Sequence, residues 1–104
     1  FLLTDGSTTL QFIVEKDGTQ STLDLPTVMA DDTFTTVGFV YDPKDLKFHV
    51  FQNNVLAGTV ASTNAPDDEE LNVSFGIQNG ASAAKVMTID YVLAGKERTA
   101  DTEL

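Results

Sequence analysis

Apolar and polar residues alternate along most of this chain with the two-residue period of strands that bury one face. The densest such stretch is 34–53, FTTVGFVYDPKDLKFHVFQN. Val37, Phe39 and Tyr41 fall on one side, and Asp42-Pro43-Lys44-Asp45 then breaks the run, because proline fixes φ and cannot donate to a ladder. Beyond the break Phe48 and Val50 share one face, and Lys47, His49 and Phe51 share the other. Two alternating runs split by a short turn predict a β-hairpin. Its aromatic density makes it the expected centre of the core.

The flanking segments follow the same rule. Leu10, Phe12 and Val14 alternate with Gln11, Ile13 and Glu15, and Asp17-Gly18 is a strong tight-turn signal that returns the chain along 21–25. Pro26 stops that strand, and 27–32 reads as a loop or a single helical turn. Asn53-Asn54 predicts a further tight turn into a short strand over 55–60, paired back onto 48–51. The segment 61–70, with proline and the run Asp67-Asp68-Glu69-Glu70, reads as a surface loop. Alternation is cleanest after it: Leu71, Val73, Phe75 and Ile77 predict one strand, Asn79-Gly80 a turn, and Met87, Ile89, Tyr91 and Leu93 the inward face of a last strand over 85–94. The charged end 99–104 is expected to be a flexible tail. With no helical period of any length, about seven short strands imply an all-β antiparallel sandwich forming a single domain over 1–98.

Composition adjusts this picture in three ways. A chain of 104 residues is one small domain with a core that has little to spare, and without cysteine neither disulfides nor thiolate metal sites can supplement it. Sixteen acidic residues against six basic ones give a formal net charge of -10. Such a surface repels phosphate backbones and anionic bilayers, so nucleic acid and membrane are poor partners while a basic protein surface remains open. The chain starts at Phe1 rather than at methionine, which reads as processing or as a piece of something longer.

The motifs VGFVYD (37–42), FHVFQNN with Gly58 following, LNVSFGIQNG (71–80) and MTIDYV (87–92) resemble the later half of a laminin-G-like or concanavalin-A-like jelly roll. The second strand departs from that pattern, ending in Asn53-Asn54 where the family has Asn-Gly. The wording from TFTTVGFVYD to GIQNGASAAKVMTIDYVLAGKER, over Asp32–Arg98, is also similar to structural proteins of tailed-bacteriophage virions. The resemblance implies a capsid decoration, cement or tail-associated component that binds other virion proteins, capsid or tail subunits, and catalyses nothing. Complete jelly rolls of this family are longer, so the fold is expected to be a partial sandwich whose open apolar face or edge is covered by a neighbouring chain. Homo-oligomers and a location on the virion follow from that reading.

Candidate chemistry is sparse. His49, the single histidine, has no nucleophile-elbow serine to serve, and is read as a surface or interface residue. The E-x-D-x-x-E strand of jelly-roll glycosidases is absent; Glu15, Asp17 and Asp90 do not reproduce it. Calcium is the one cofactor left open, with Asp31-Asp32 and Asp67-Asp68-Glu69-Glu70, chiefly Asp67 and Asp68, as candidate ligands, although neither run has the spaced acids of an EF-hand loop and solvated loops are favoured. Phe51, on the His49 face, is the aromatic expected at an interface, and the acidic loop of Asp67, Asp68, Glu69 and Glu70 could meet a basic patch. The alternative to the structural role is a laminin-G or lectin-like glycan-binding module with loops at one end of the sandwich.

Overall fold

The computed structural model describes residues 1–67, 71–78, 84 and 86–96. It divides into two units, Phe1–Glu69 and Glu70–Leu104. The first unit is all-β: β1 (Leu2–Leu3), β2 (Leu10–Lys16), β3 (Thr19–Asp24), β4 (Val37–Asp42), β5 (Lys47–Gln52) and β6 (Val55–Ala61), followed by one 3-10 turn at Ser62–Asn64. The strands form two three-stranded antiparallel sheets in the orders β1-β2-β3 and β4-β5-β6. Together they make a partial β-sandwich of two stacked meanders.

Turn chemistry fixes the hairpins. Asp17 (φ 50°) and Gly18 (φ 78°) both lie in the left-handed region, as do Asn53 (φ 53°) and Asn54 (φ 65°). Two-residue loops with both φ values positive match the right-handed twist of the strands they join, and Asp, Asn and Gly are the residues that tolerate them. Asn53 also extends its ladder: its N–H donates to Thr36 O at 2.7 Å, and its Oδ1 accepts from Thr36 N at 3.0 Å. In the β4–β5 turn, Asp42 Oδ1 accepts the Lys44 N–H at 2.9 Å, and Leu46 takes φ 54° to re-enter the sheet.

Alternation then sorts the faces. Leu10, Phe12 and Val14 of β2 turn inward with Leu25, and meet Val50 and Val60 from the second sheet to form the buried core. Val50 is fully buried. Four aromatic rings bridge the layers, with Phe12 centred 5.3 Å from Phe1, 5.4 Å from Phe39 and 5.7 Å from Phe48. On the opposite side of the sandwich β3 meets β6 where Gly58 lacks a side chain. A Cβ there would stand 3.1 Å from both Leu23 methyls, so any larger residue would have to push the Leu23 side chain back by a few tenths of an ångström. A bulge between Val50 and Phe51 sits opposite this contact and adds Ala57 to β6.

One buried polar side chain anchors the connection between sheets. Gln52, 3 % exposed, donates from Nε2 to Thr27 O at 2.7 Å and accepts at Oε1 from Thr27 N at 2.8 Å. The loop after β3, which carries no helical turn, is thereby clamped to the end of β5. Both peptide groups of Thr27 gain the partners that a strand would have supplied.

Among the described residues, the strands expected over 71–78 and 85–94 are not found. Residues 71–78 and 86–96 carry no strand, and Val73, Phe75, Ile77, Met87, Ile89 and Tyr91 are exposed. Alternation specifies which side chains a strand would bury, but a strand exists only where its N–H and C=O groups find a ladder, and these find none. The Asn79-Gly80 turn and the tail 99–104 lie outside the described residues.

Candidate functional site

The two outer faces of the sandwich carry different side chains. On the first sheet, residues opposite one another are joined by polar side chains: Gln11 Nε2 donates to Asp24 Oδ1 at 2.7 Å, and Gln20 Nε2 to Glu15 Oε2 at 2.6 Å. Ile13 lies between these pairs on the same face. On the second sheet Gly38, Phe51 and Leu56 stand opposite one another at one end of the outer face, Val40, His49 and Thr59 lie in the middle, and Asp42 and Lys47 at the other end. Val40 is 59 % exposed and Leu56 52 %. His49 and Phe51, singled out in the sequence as interface candidates, therefore sit on alternate positions of β5 beside an apolar patch that Val40 and Leu56 complete from neighbouring strands.

The apolar character continues around β4, which is an edge strand. Phe39 packs inward against Phe12 and Phe48 yet remains 53 % exposed, and Phe1, Leu3 and Tyr41 are exposed as well. The expectation that Phe39 and Tyr41 lie inside is thus met in direction and not in depth, because among the described residues no strand continues the sheet beyond β4 or beyond β1. A shallow hollow of about 310 Å³ runs along this edge, lined by Val37, Gly38, Phe39, Val40 and Phe51 with the polar Thr36 and Asn54. An unpaired edge with apolar side chains on both its faces is the kind of feature that proteins cover.

Asp67, the one acid of the run Asp67–Glu70 among the described residues, is exposed and paired. Lys16 Nζ lies 2.6 Å from Asp67 Oδ1, joining the end of β2 to a residue 51 positions later. The hydrogen bond from Lys16, and secondarily its charge, hold the Asp67 carboxyl below the usual aspartate range. A cation taking Asp67 as a ligand would first have to displace an ammonium group. Asp68, Glu69 and Glu70 lie outside the described residues. A depressed carboxyl contributes stability that is present above its unfolded pKa and is lost as pH falls through the lower folded value. The pair is solvent-exposed, so that contribution is small. An NMR titration is expected to place the Asp67 midpoint below that of ordinary aspartates, and Lys16→Met to return it to their range. Equal midpoints in the two chains would dissolve the pairing.

One constellation escaped the sequence reading, which took Asp42 and Asp45 for turn residues alone. Asp42 closes β4 opposite Lys47, so His49, two residues further along β5, is its diagonal neighbour across the hairpin. Asp42 Oδ2 lies 3.8 Å from His49 Nε2. With Asp45 from the turn, these offer three donor atoms all within 4.8 Å of one another. The signal was available in the register of the hairpin rather than in any linear motif. No protein family, curated protein or solved structure matches this chain.

Proposed function

We propose that this chain is a non-enzymatic structural component of a virus particle, a capsid decoration or cement protein or a tail-associated component, that works by packing against copies of itself and other virion subunits. The observation that carries the packing role is the apolar patch on the outer face of the second sheet, where Val40 and Leu56 stand open and Phe51 half-buried between them, beside the edge strand β4. The virion setting rests on the resemblance of 32–98 to tailed-phage structural proteins. A net charge of -10 fits a surface that keeps the chain dispersed until a specific apolar contact forms, and suits basic neighbours. On a repeating lattice, contacts that are weak singly become strong together.

The test is sedimentation velocity across a concentration series. Self-association is expected, and a paired Val40→Glu, Leu56→Glu chain is expected to associate at least tenfold more weakly, because charges buried at the centre of an interface cost more than about 1.4 kcal/mol. Both positions face outward, so the core and its unfolding transition should be preserved. A wild-type chain that stays monomeric at every concentration and instead binds on a glycan array would replace this reading with the lectin-like one.

A further inference from the structure

We propose that Asp42, Asp45 and His49 form a binding site for a divalent transition-metal ion of the zinc class. Three features of the hairpin carry it. First, the donors are of the right kinds: one imidazole nitrogen and two carboxylates, with their atoms within 4.8 Å of one another. Imidazole suits zinc, cobalt and nickel, whereas calcium takes six to eight oxygen ligands and gains little from a ring nitrogen.

Second, the leading carboxylate is already oriented. Asp42 Oδ1 accepts the Lys44 N–H at 2.9 Å, which turns Oδ2 toward His49 Nε2, 3.8 Å away. Hydrogen bonds of this kind from the surrounding chain are what aim metal ligands. Ligands at about 2.1 Å from a tetrahedral zinc stand about 3.4 Å from each other, so closure on an ion needs only small side-chain rotations. The Asp42 and His49 side chains are about one-third exposed, open enough for an ion to enter.

Third, all three residues hang on one rigid turn. Asp42 and His49 are held by the β4–β5 ladder, and the left-handed Leu46, φ 54°, returns the chain just after Asp45. Lys47, opposite Asp42, and Lys44 in the turn bring positive charge nearby. They set an upper limit on affinity, against an overall charge of -10 that draws cations to the surface. Three protein ligands with water as the fourth is the ligand count of open zinc sites.

Zinc chloride titrated into the full-length chain by calorimetry, with the His49 ring followed by NMR, tests the site. One ion per chain is expected, with the His49 ring resonances shifting and Asp42→Asn, His49→Gln and Asp45→Asn each weakening binding at least tenfold, no less than the loss of an outer-shell partner costs at known sites. Asp42→Asn keeps the acceptor for Lys44, so its fold is preserved, and unchanged urea midpoints without metal serve as the check. Calcium chloride at the same concentration is expected to leave the His49 resonances in place. Absence of zinc binding, or binding unaltered in His49→Gln and Asp42→Asn, would overturn the proposal.

Discussion

Replacing Phe12 with alanine is expected to cost about 3–5 kcal/mol, the range for truncating a buried aromatic, and to leave the domain near or below its folding threshold. Phe12 is 3 % exposed and stands between three other rings, those of Phe1, Phe39 and Phe48, at centroid distances of 5.3–5.7 Å. Its loss removes the transfer free energy of a large side chain and opens a cavity that two half-exposed neighbours line without being able to fill. Small domains hold total stabilities at the low end of about 5–15 kcal/mol, so one such change consumes most of the margin. Urea unfolding followed by far-UV circular dichroism should show the midpoint falling by about 2 M or more, or no folded baseline. Ile13→Ala, on the outer face of the same strand, is the internal control and should cost less than half as much. Equal costs at the two positions would mean that the sheets do not face each other through Phe12.

The second large effect is expected at Gln52. Gln52→Leu preserves the approximate volume but strips both hydrogen bonds from Thr27, whose N–H and C=O are then left facing an apolar side chain. Orphaned polar groups cost about 1–3 kcal/mol, and the exposure of Thr27 places the effect in the lower part of that range by admitting water. Amide exchange gives the more specific readout: protection of the Thr27 N–H should be lost in Gln52→Leu, while Val50 and its ladder partners keep theirs. Gln52→Glu should keep the Thr27 N–H protected, since a carboxylate still accepts from Thr27 N, yet lose stability because it cannot donate to Thr27 O. Retained protection at Thr27 in Gln52→Leu would refute the clamp.

Much of this architecture was readable in the order of residues. Asp17-Gly18 and Asn53-Asn54 declared two hairpins because few residues tolerate positive φ at both turn positions. The alternation of Leu10, Phe12 and Val14 identified an inward face, and that of Lys47, His49 and Phe51 an outward one. The interface candidates His49 and Phe51 were legible for that reason alone, since they occupy alternate positions of one strand. What joined them to Val40 and Leu56 was not, because register across strands is written in pairing, with a bulge shifting it at Val50 and Phe51.

Other features were hidden by distance in the chain. The two-residue strand Leu2–Leu3 is too short to show a period. Gln52 reads as polar and hence outward, yet it is buried because the loop at Thr27, 25 residues earlier, needs its amide. Lys16 and Asp67 meet across 51 positions, and no local pattern announces a salt bridge of that span. The pattern of 71–77 and 87–93 misled for the complementary reason: it is a request for a partner, and a periodicity does not supply one.

The sequence by itself determined the all-β class, the hairpin turns, the inward and outward sides of each strand and the acidic character of the surface, because these follow from local sterics, a two-residue period and composition. Three-dimensional packing was needed to say which strands share a sheet, that Val40, Phe51 and Leu56 meet on one outer face, that Gln52 is buried, and that Asp42, Asp45 and His49 converge. Each of these depends on which residues of distant segments come within a few ångströms, and that is set by the joint packing of two sheets rather than by any one stretch of chain.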